Sequence, residues 1–267
     1  MLSIMLIGDI VGKPGRDILK KELPALLRQH RPDMIIANGE NAAAGRGVTE
    51  RIVQDLFHLG IDVITLGNHT WDNREVFQVI DQELRVIRPA NYPPGVPGRG
   101  WVMHEIRPGV RPVAVINLMG RTFMSPIDCP FQAADQLLQE INEGRPEQQQ
   151  AIVIVDFHAE ATSEKETMGF YLAGKAAAVL GTHTHVQTAD ERVLPGGTAY
   201  ITDLGMTGTR DSILGIQADI MIRRFTTQMP VRHELAEGPC IINGVMLEID
   251  EKVGKAVSIT RINEYYT

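Results

Sequence analysis

The strongest constraint on the fold of this chain is the regular alternation of apolar runs and amphipathic stretches over its first third. The apolar runs LSIMLIG, DMIIAN and DVITLG predict strands. The stretches that follow them, GRDILKKELPALLRQH, TERIVQDLFHLG and NREVFQVIDQE, have helical spacing, and Thr49 and Gly60 are suitable caps for the second helix. A repeated order of strand and helix predicts parallel strand pairing and therefore an α/β sheet.

Beyond Pro89 the pattern changes and predicts a second sheet. RPANYPPGVPGRG is too rich in Pro and Gly for regular structure, so we expect a long loop there. WVMHEIR and RPVAVINLMG then predict strands of a more antiparallel sheet. Further strands are predicted in QQAIVIVDFH, AAAVLG, TAYITDLG and the hairpin-like CIINGVMLEIDEKVGKAVSITRI, and helices in FQAADQLLQEINEG and SEKETMGFYLAGK. No repeat or linker interrupts the chain, so residues 1–267 are expected to form a single α/β domain of two packed mixed β-sheets flanked by helices.

Composition and charge limit the classes of partner. The chain of 267 residues has a formal net charge of −7, which argues against a general nucleic-acid surface or an anionic-membrane surface. The two cysteines, Cys129 and Cys240, are far apart and are expected to be reduced thiols. The apolar N-terminus lacks the basic segment of a signal peptide and is too short to span a bilayer. These features predict a cytoplasmic protein that does not bind membranes.

Polar residues follow five of the predicted strands at the point where each strand ends. They are Asp9, Glu40 and Asn41, Asn68 and His69, His158, and the pair His183 and His185. Each alone has a plain structural explanation, such as a turn, a solvated loop or a hydrogen-bonded core histidine. Because the carboxyl ends of strands in an α/β sheet meet where ligands bind, the set together predicts a site.

The spacing of His183 and His185 suggests metal binding in particular. On an extended backbone, alternate residues point to the same side, so both imidazoles could converge on one point. Two ions about 3.5–4 Å apart can stabilise both the attacking and the leaving oxygen of a displacement at phosphorus. Such a pair requires a bridging carboxylate, for which Glu40 is suitable. Imidazole, carboxylate and amide ligands without sulfur favour Mn, Fe or Zn.

The order of these residues resembles the calcineurin-like metallophosphoesterases, whose motifs are D-x-H, GD, GNH, H and GHxH. GDIVGKPGR, NGENAAAGRG and DFHAEATSEK are more specifically similar to the bacterial YmdB-type branch, and the similarity continues through DLGMTG. Three positions depart from the general motifs. Val11 replaces a histidine, Glu40 replaces the bridging aspartate, and Thr70 replaces the acid that usually follows GNH. Asp72 is a candidate to orient His69 in its place.

The resemblance implies a four-layer α-β-β-α sandwich with two metal ions, Fe or Mn in preference to Zn or Mg. It implies that one ion is held by Asp9, Glu40, Asn41 and His185, and the other by Glu40, Asn68, His158 and His183. His69 is then not a ligand but the group that donates a proton to the leaving oxygen.

The YmdB-type branch further implies hydrolysis of 2′,3′-cyclic AMP or GMP by a metal-activated hydroxide, in a homodimer or homotetramer. Three alternatives stay open: a phosphomonoesterase, an RNA-trimming nuclease at the same site, and a regulatory nucleotide-binding protein with incidental hydrolysis. Arg121 and Thr162 are candidates for substrate contacts. The alternative for Arg121 is an exposed structural arginine. The alternative for Thr162, as for Glu160 and Glu164, is capping of a helix N-terminus.

Overall fold

A computed structural model describes all 267 residues and contains fourteen strands and six α-helices. In chain order these are β1 (Leu2–Ile7), β2 (Asp9–Ile10), α1 (Gly12–His30), β3 (Met34–Asn38), α2 (Glu50–His58), β4 (Val63–Thr65), α3 (Val76–Val79), β5 (Val86–Ile87), β6 (Trp101–His104), β7 (Val113–Met119), α4 (Pro130–Asn142), β8 (Ile152–His158), α5 (Thr162–Tyr171), β9 (Ala178–Thr182), β10 (Arg192–Leu194), β11 (Thr198–Ile201), β12 (Met206–Thr209), α6 (Ala218–Thr227), β13 (Cys240–Asp250) and β14 (Lys255–Tyr266). None of the helices combines the length and apolar character needed to cross a lipid bilayer.

The first sheet has eight strands in the order β2-β12-β13-β1-β3-β4-β5, with β14 paired to β13. The strands β1, β3, β4 and β5 are parallel, as the alternation of strand and helix predicts. The long hairpin of β13 and β14 joins this group through antiparallel pairing of β13 with β1. The carboxyl ends of β1, β3 and β4 therefore lie side by side at one edge.

The second sheet has six strands in the order β10-β11-β9-β8-β7-β6. The sequence predicted a more antiparallel arrangement, and this is wrong for the centre of the sheet. The strands β7, β8, β9 and β11 are parallel, and only the edge strands β6 and β10 pair antiparallel. The physical reason is that α4 and α5 are the crossover connections between β7, β8 and β9, and parallel strands require such connections.

Three apolar clusters separate four layers and confirm the predicted fold class. Alternate residues of β1 point to opposite faces of the first sheet, so Leu2 and Ile4 pack between the sheets with Ile154 of β8. Met5 on the other face packs against the α1 and α2 layer. The outer face of the second sheet packs under α4 and α5 through a third cluster that includes Met168. The result is an α-β-β-α sandwich.

Helix boundaries differ from expectation in two places. The helix predicted for residues 73–83 is reduced to α3, because polar side chains on both sides of it bond to the backbone instead: Asn73 accepts from the N–H of Glu75, and Asp81 accepts from that of Gly98. Helix α6 was not predicted because no capping signal precedes it: its N-cap residue Gln217 makes no side-chain hydrogen bond, and Met221 is its only buried residue. By contrast, the predicted cap at Thr49 is confirmed by a hydrogen bond from the N–H of Ile52.

The inter-sheet cluster is expected to carry much of the folding stability. We predict that Ile4→Ala lowers the free energy of unfolding by about 2–5 kcal/mol, since Ile4 is fully buried and its truncation leaves a cavity. Urea denaturation measures this change. The matched control is Val257→Ala on β14, which is 58% exposed and should change stability by less than about 0.5 kcal/mol. Equal effects of the two substitutions would contradict this description of the core.

Candidate metal centre

The polar residues that follow the strands of both sheets meet at one buried place. Asp9 and His158 have no exposed surface, and Glu40 and Asn41 are 1% and 4% exposed. Ligand atoms of Glu40, His158 and His183 all lie within 4.8 Å of one another. The strand ends of the first sheet supply carboxylate and amide oxygens, and those of the second sheet supply imidazoles.

The first group of side chains surrounds His158 Nε2. Glu40 Oε1 and Asn68 Oδ1 each lie 2.9 Å from this nitrogen. His183 Nδ1 lies 3.0 Å from it, and the two rings meet edge to face. Two oxygen acceptors and a second ring nitrogen thus converge on one atom.

The second group lies beside the first, around His185 and Asp9. His185 Nε2 is 3.2 Å from Asn41 Oδ1 and 4.0 Å from Asp9 Oδ1. Asp9 Oδ1 is also 4.0 Å from His158 Nδ1, which links the two groups. The amide of Asn41 is oriented because its Nδ2 donates to the carbonyl of Gly45 over 2.9 Å. The structure therefore brings together all seven residues that the sequence proposed as metal ligands.

Outer contacts of the three histidines fix which ring nitrogen faces inward. His158 Nδ1 is 2.9 Å from Thr182 Oγ1, and this hydroxyl donates to Asp156, so Nδ1 must carry the hydrogen. His185 Nδ1 is 3.2 Å from the carbonyl oxygen of Leu214. His183 Nε2 is 3.0 Å from a carboxylate oxygen of Glu160. Carbonyl and carboxylate oxygens only accept, so the opposite nitrogen of each ring is left for the interior of the site.

Two buried carboxylate oxygens show that these residues are suited to binding metal ions. Asp9 Oδ1 and Glu40 Oε1 are buried without a hydrogen-bond partner, and the close contact of Glu40 Oε1 with His158 lacks hydrogen-bond geometry. Burying an unpaired carboxylate is costly unless a cation accompanies it. Gly67 keeps the space open, because a Cβ there would lie 2.3 Å from Glu40 Oε2 and 2.5 Å from His158 Nε2. The donor set and its unpaired oxygens therefore fit divalent cations.

Electrostatics leads to the same conclusion. Burial lowers the pKa of His158, but the negative charges of Glu40 and Asp9 outweigh burial and raise it to about 9. Burial raises the pKa of Glu40, but the positive charge and close contact of His158, together with the backbone N–H of His69, outweigh burial and lower this pKa to about 2. Burial and the charge of His158 together lower the pKa of His183 to about 3. Burial raises the pKa of Asp9 well above its usual range, so without a metal ion the site holds protons, on His158 and on the Asp9 carboxyl, where cations would otherwise balance the charge.

His69 lies beside these groups and differs from the other histidines in its contacts. Its backbone N–H donates to Glu40 Oε2 over 3.1 Å, while its side chain is 26% exposed. His69 Nδ1 is 2.8 Å from Asp72 Oδ2, so the orienting contact that the sequence suggested is present. Arg46 Nη1 lies 3.9 Å from the same carboxylate oxygen. An imidazole in this arrangement can exchange a proton through Nε2 while Asp72 holds Nδ1–H.

The two candidate substrate contacts are in neither group. Arg121 is exposed on the loop after β7, with its Nη2 at 3.5 Å from Cys129 Sγ. Thr162 begins α5, where Ala161 is the N-cap without a side-chain hydrogen bond, so the capping alternative is not observed. Glu164 instead accepts backbone hydrogen bonds from Arg121 and Thr122 and fixes that loop.

One expectation about the histidine pair is wrong. Strand β9 ends at Thr182, and His183 and His185 are not on extended backbone: their φ angles are 102° and 65°. Such positive φ angles are strained for residues other than glycine and occur at functional sites. The two rings reach the site through this irregular loop.

The sequence reasoning also missed residues that support the site, namely Asp156, Lys165, Thr182 and Asp203. All four are buried. A charged residue inside the apolar run AIVIVDFH was the available signal for Asp156, because a buried acid requires polar partners. The other three residues gave no such signal, because their contacts with the site join segments that are distant in the sequence and meet only in the folded second sheet.

Metal uptake should release a proton, because a cation must replace the one on His158. The pKa of His158 is raised above its ordinary value to about 9, so the metal-free protein holds this proton at neutral pH and loses it only as the pH approaches 9. We predict that Mn²⁺ affinity rises about tenfold per pH unit between pH 7 and 8.5. Titration calorimetry in buffers of different ionisation enthalpy measures both quantities. A pH-independent affinity would contradict this electrostatic description.

Known proteins resemble the chain over nearly its whole length. A family model described as YmdB-like protein matches residues 5–262. The 2′,3′-cyclic-nucleotide 2′-phosphodiesterase of Bacillus subtilis (strain 168) is 51% identical over 261 residues, which cover 98% of this chain and 96% of that protein.

Two solved structures share the fold. A hypothetical protein from Thermus thermophilus has a TM-score of 0.91 and 41% sequence identity, with 100% of both chains covered. A phosphatase from Mycoplasma pneumoniae has a TM-score of 0.91 and 31% identity, covering 99% of this chain and 94% of that one. The resemblance noted in the motifs is thereby confirmed, and the chain belongs to the YmdB-like family of metallophosphoesterases.

Proposed function

We propose that this protein is a metal-dependent phosphodiesterase that hydrolyses 2′,3′-cyclic nucleotides. The observation that carries the proposal is the convergence of three imidazole nitrogens on the unpaired carboxylate oxygens of Asp9 and Glu40. The substrate class is supported by the Bacillus subtilis relative, whose name specifies this activity. The substrate is then a small nucleotide, which is compatible with a formal net charge of −7 because the local cations supply the attraction for phosphate.

The proposed ligand sets follow the two groups of side chains. Asp9, Asn41 and His185 would hold one ion, Asn68, His158 and His183 the other, and Glu40 would bridge them. When bound, the ions would supply Lewis-acid chemistry, by neutralising phosphate charge and making a water nucleophilic at neutral pH. Fe or Mn is proposed ahead of Zn or Mg, since the set combines imidazole with oxygen ligands and has no thiolate.

His69 is proposed as the acid that protonates the leaving oxygen. Opening the cyclic ester breaks a bond between phosphorus and a ribose oxygen, and this oxygen requires a proton as it leaves. The carboxylate of Asp72 accepts from Nδ1–H of His69 and fixes the orientation of the ring, which leaves Nε2 as the atom that donates the proton. The name of the Bacillus subtilis relative suggests that the 2′ oxygen leaves, which gives a nucleoside 3′-phosphate.

The proposal includes a single catalytic domain over residues 1–267, a cytoplasmic location and a homodimer or homotetramer. The shared core between the sheets supports the single domain, because the candidate ligands of the site come from both sheets. The free thiols of Cys129 and Cys240 support the cytoplasmic location. The oligomeric state rests on the family resemblance alone.

A phosphomonoesterase is the second candidate function. It is favoured by the Mycoplasma pneumoniae neighbour, which is described as a phosphatase. The same side chains could serve either reaction, because both displace an oxygen from phosphorus at a metal centre. Turnover of 2′,3′-cyclic AMP compared with that of 3′-AMP distinguishes them.

We predict that the protein supplied with Mn²⁺ hydrolyses 2′,3′-cyclic AMP to 3′-AMP, and that His69→Ala lowers kcat by about 10²–10⁴-fold with its metal content unchanged. The reason is that His69 contributes a proton and no ligand atom. His158→Ala is the matched comparison, since it removes the imidazole at the centre of the first group and should lower metal content. Chromatographic product analysis and elemental analysis measure the two effects.

Three results would contradict the proposal. Turnover that persists undiminished in the presence of a chelator would exclude metal dependence. Full activity of His69→Ala would exclude its role as the acid. Hydrolysis of 3′-AMP without hydrolysis of the cyclic diester would favour the phosphomonoesterase.

A further inference from the structure

The loop that carries His183 and His185 cannot owe its conformation to its own residues. Both histidines have positive φ angles, of 102° and 65°, which are unfavourable for residues with a Cβ. Such a conformation persists only where surrounding contacts over-determine it. One contact is already part of the site, since the N–H of His183 donates to Asp9 Oδ2 over 3.2 Å.

A second contact comes from Asp203, which follows β11 and has no exposed surface. Its Oδ2 accepts from the backbone N–H of Thr184 over 3.1 Å. Thr184 is the residue between the two histidines, so this bond fixes the peptide that separates them. The other oxygen, Oδ1, accepts from the N–H of Gly205 over 2.8 Å. Asp203 therefore ties the histidine loop to the neighbouring strand connection.

Lys165 on α5 supplies the charge that makes this buried carboxylate tolerable. Its Nζ is 2.6 Å from Asp203 Oδ2, and the side chain is only 1% exposed. The stem of Lys165 passes close to Gly181, where an added Cβ would lie 3.1 Å from Cδ and 1.7 Å from the carbonyl oxygen of Thr202. A fully buried lysine and aspartate are rare unless paired, and here the pair lies directly under the loop.

We infer that Asp203 and Lys165 are positioning residues for the metal centre, an inference that rests on the proposed function. They hold the loop of His183, Thr184 and His185 so that Nδ1 of His183 and Nε2 of His185 face the interior of the site. Neither residue touches substrate or the reacting atoms. Because the two histidines belong to different groups of ligands, loosening this segment should weaken both metal positions.

The test is Mn²⁺ binding to Asp203→Asn, measured by titration calorimetry on chelator-treated protein. The N–H groups of Thr184 and Gly205 donate to different oxygens of Asp203, and asparagine, which has the same shape, replaces one of these oxygens with an NH2 donor, so one of the two bonds is lost. We expect Mn²⁺ affinity to fall about 10–100-fold at both positions, the range typical of lost outer contacts in metal sites. Wild-type affinity at both positions in a folded Asp203→Asn protein would overturn the inference.

The matched control is Asp156→Asn, the same substitution at another buried acid. Asp156 accepts from Thr182 Oγ1, which in turn contacts His158, so its loss should weaken only the position around His158. Identical losses at both positions in the two variants would overturn the assignment of Asp203 to the histidine loop, since the effect would then be one of any buried acid.

The double variant Lys165→Met with Asp203→Asn separates positioning from general stability. Removing both charges leaves no unpaired ion, so resistance to urea should recover relative to either single variant. Mn²⁺ affinity should stay low, because one of the two backbone N–H groups still lacks its acceptor. Recovery of affinity together with stability would overturn the inference.

The same titrations distinguish failure of the inference from failure of the proposed function. If the wild type and all variants bind two Mn²⁺ ions with the same affinity, the inference is overturned and the proposed function stands. If the wild type binds no Mn²⁺, both the inference and the proposed function are overturned.

Discussion

The cost of burying two carboxylates, each with one oxygen left without a hydrogen bond, is the constraint on which the rest of this structure depends. Asp9 and Glu40 are fully or almost fully buried, and each has an oxygen without a hydrogen bond. A chain can tolerate this only if the negative charge is removed or balanced at that place: by protonation of Asp9, whose pKa burial raises well above its usual range, by a proton on His158, or by bound cations. The outer hydrogen bonds of the surrounding histidines also indicate a cation site, because each bond occupies one ring nitrogen and leaves the other facing the interior. A site whose polar groups were all hydrogen-bonded to one another would not require cations.

The sandwich explains how one chain can assemble such a set of groups. The carboxylates and amides follow strands of the first sheet, and the histidines that surround them follow strands of the second. Parallel strands in the centre of both sheets bring the carboxyl ends of these strands to the same edge. The apolar cluster between the sheets then fixes the distance between the two halves of the site. Folding stability and ligand geometry are therefore properties of the same interface.

Much of this could be predicted from the sequence, because strand periodicity and strand-end residues are local signals. The strands that precede Asp9 and His158, and the gathering of polar residues at their ends, follow from patterns a few residues long. The conformation of the segment around His183 does not, since it depends on Asp203, which comes after the next two strands and is paired with Lys165 on a separate helix. The parallel centre of the second sheet was likewise decided by long-range packing, whereas helix α6 has no side-chain cap that a local pattern could have revealed.

Anomalous diffraction from crystals of the wild-type protein soaked in Mn²⁺ would locate the bound ions. Two strong peaks about 3.5–4 Å apart, separated by the Glu40 carboxylate, are expected. One peak should be contacted by Asn41 and His185, the other by His158 and His183. A single peak that Glu40 does not contact, or no peak in this region at all, would contradict a dinuclear metal site at these residues.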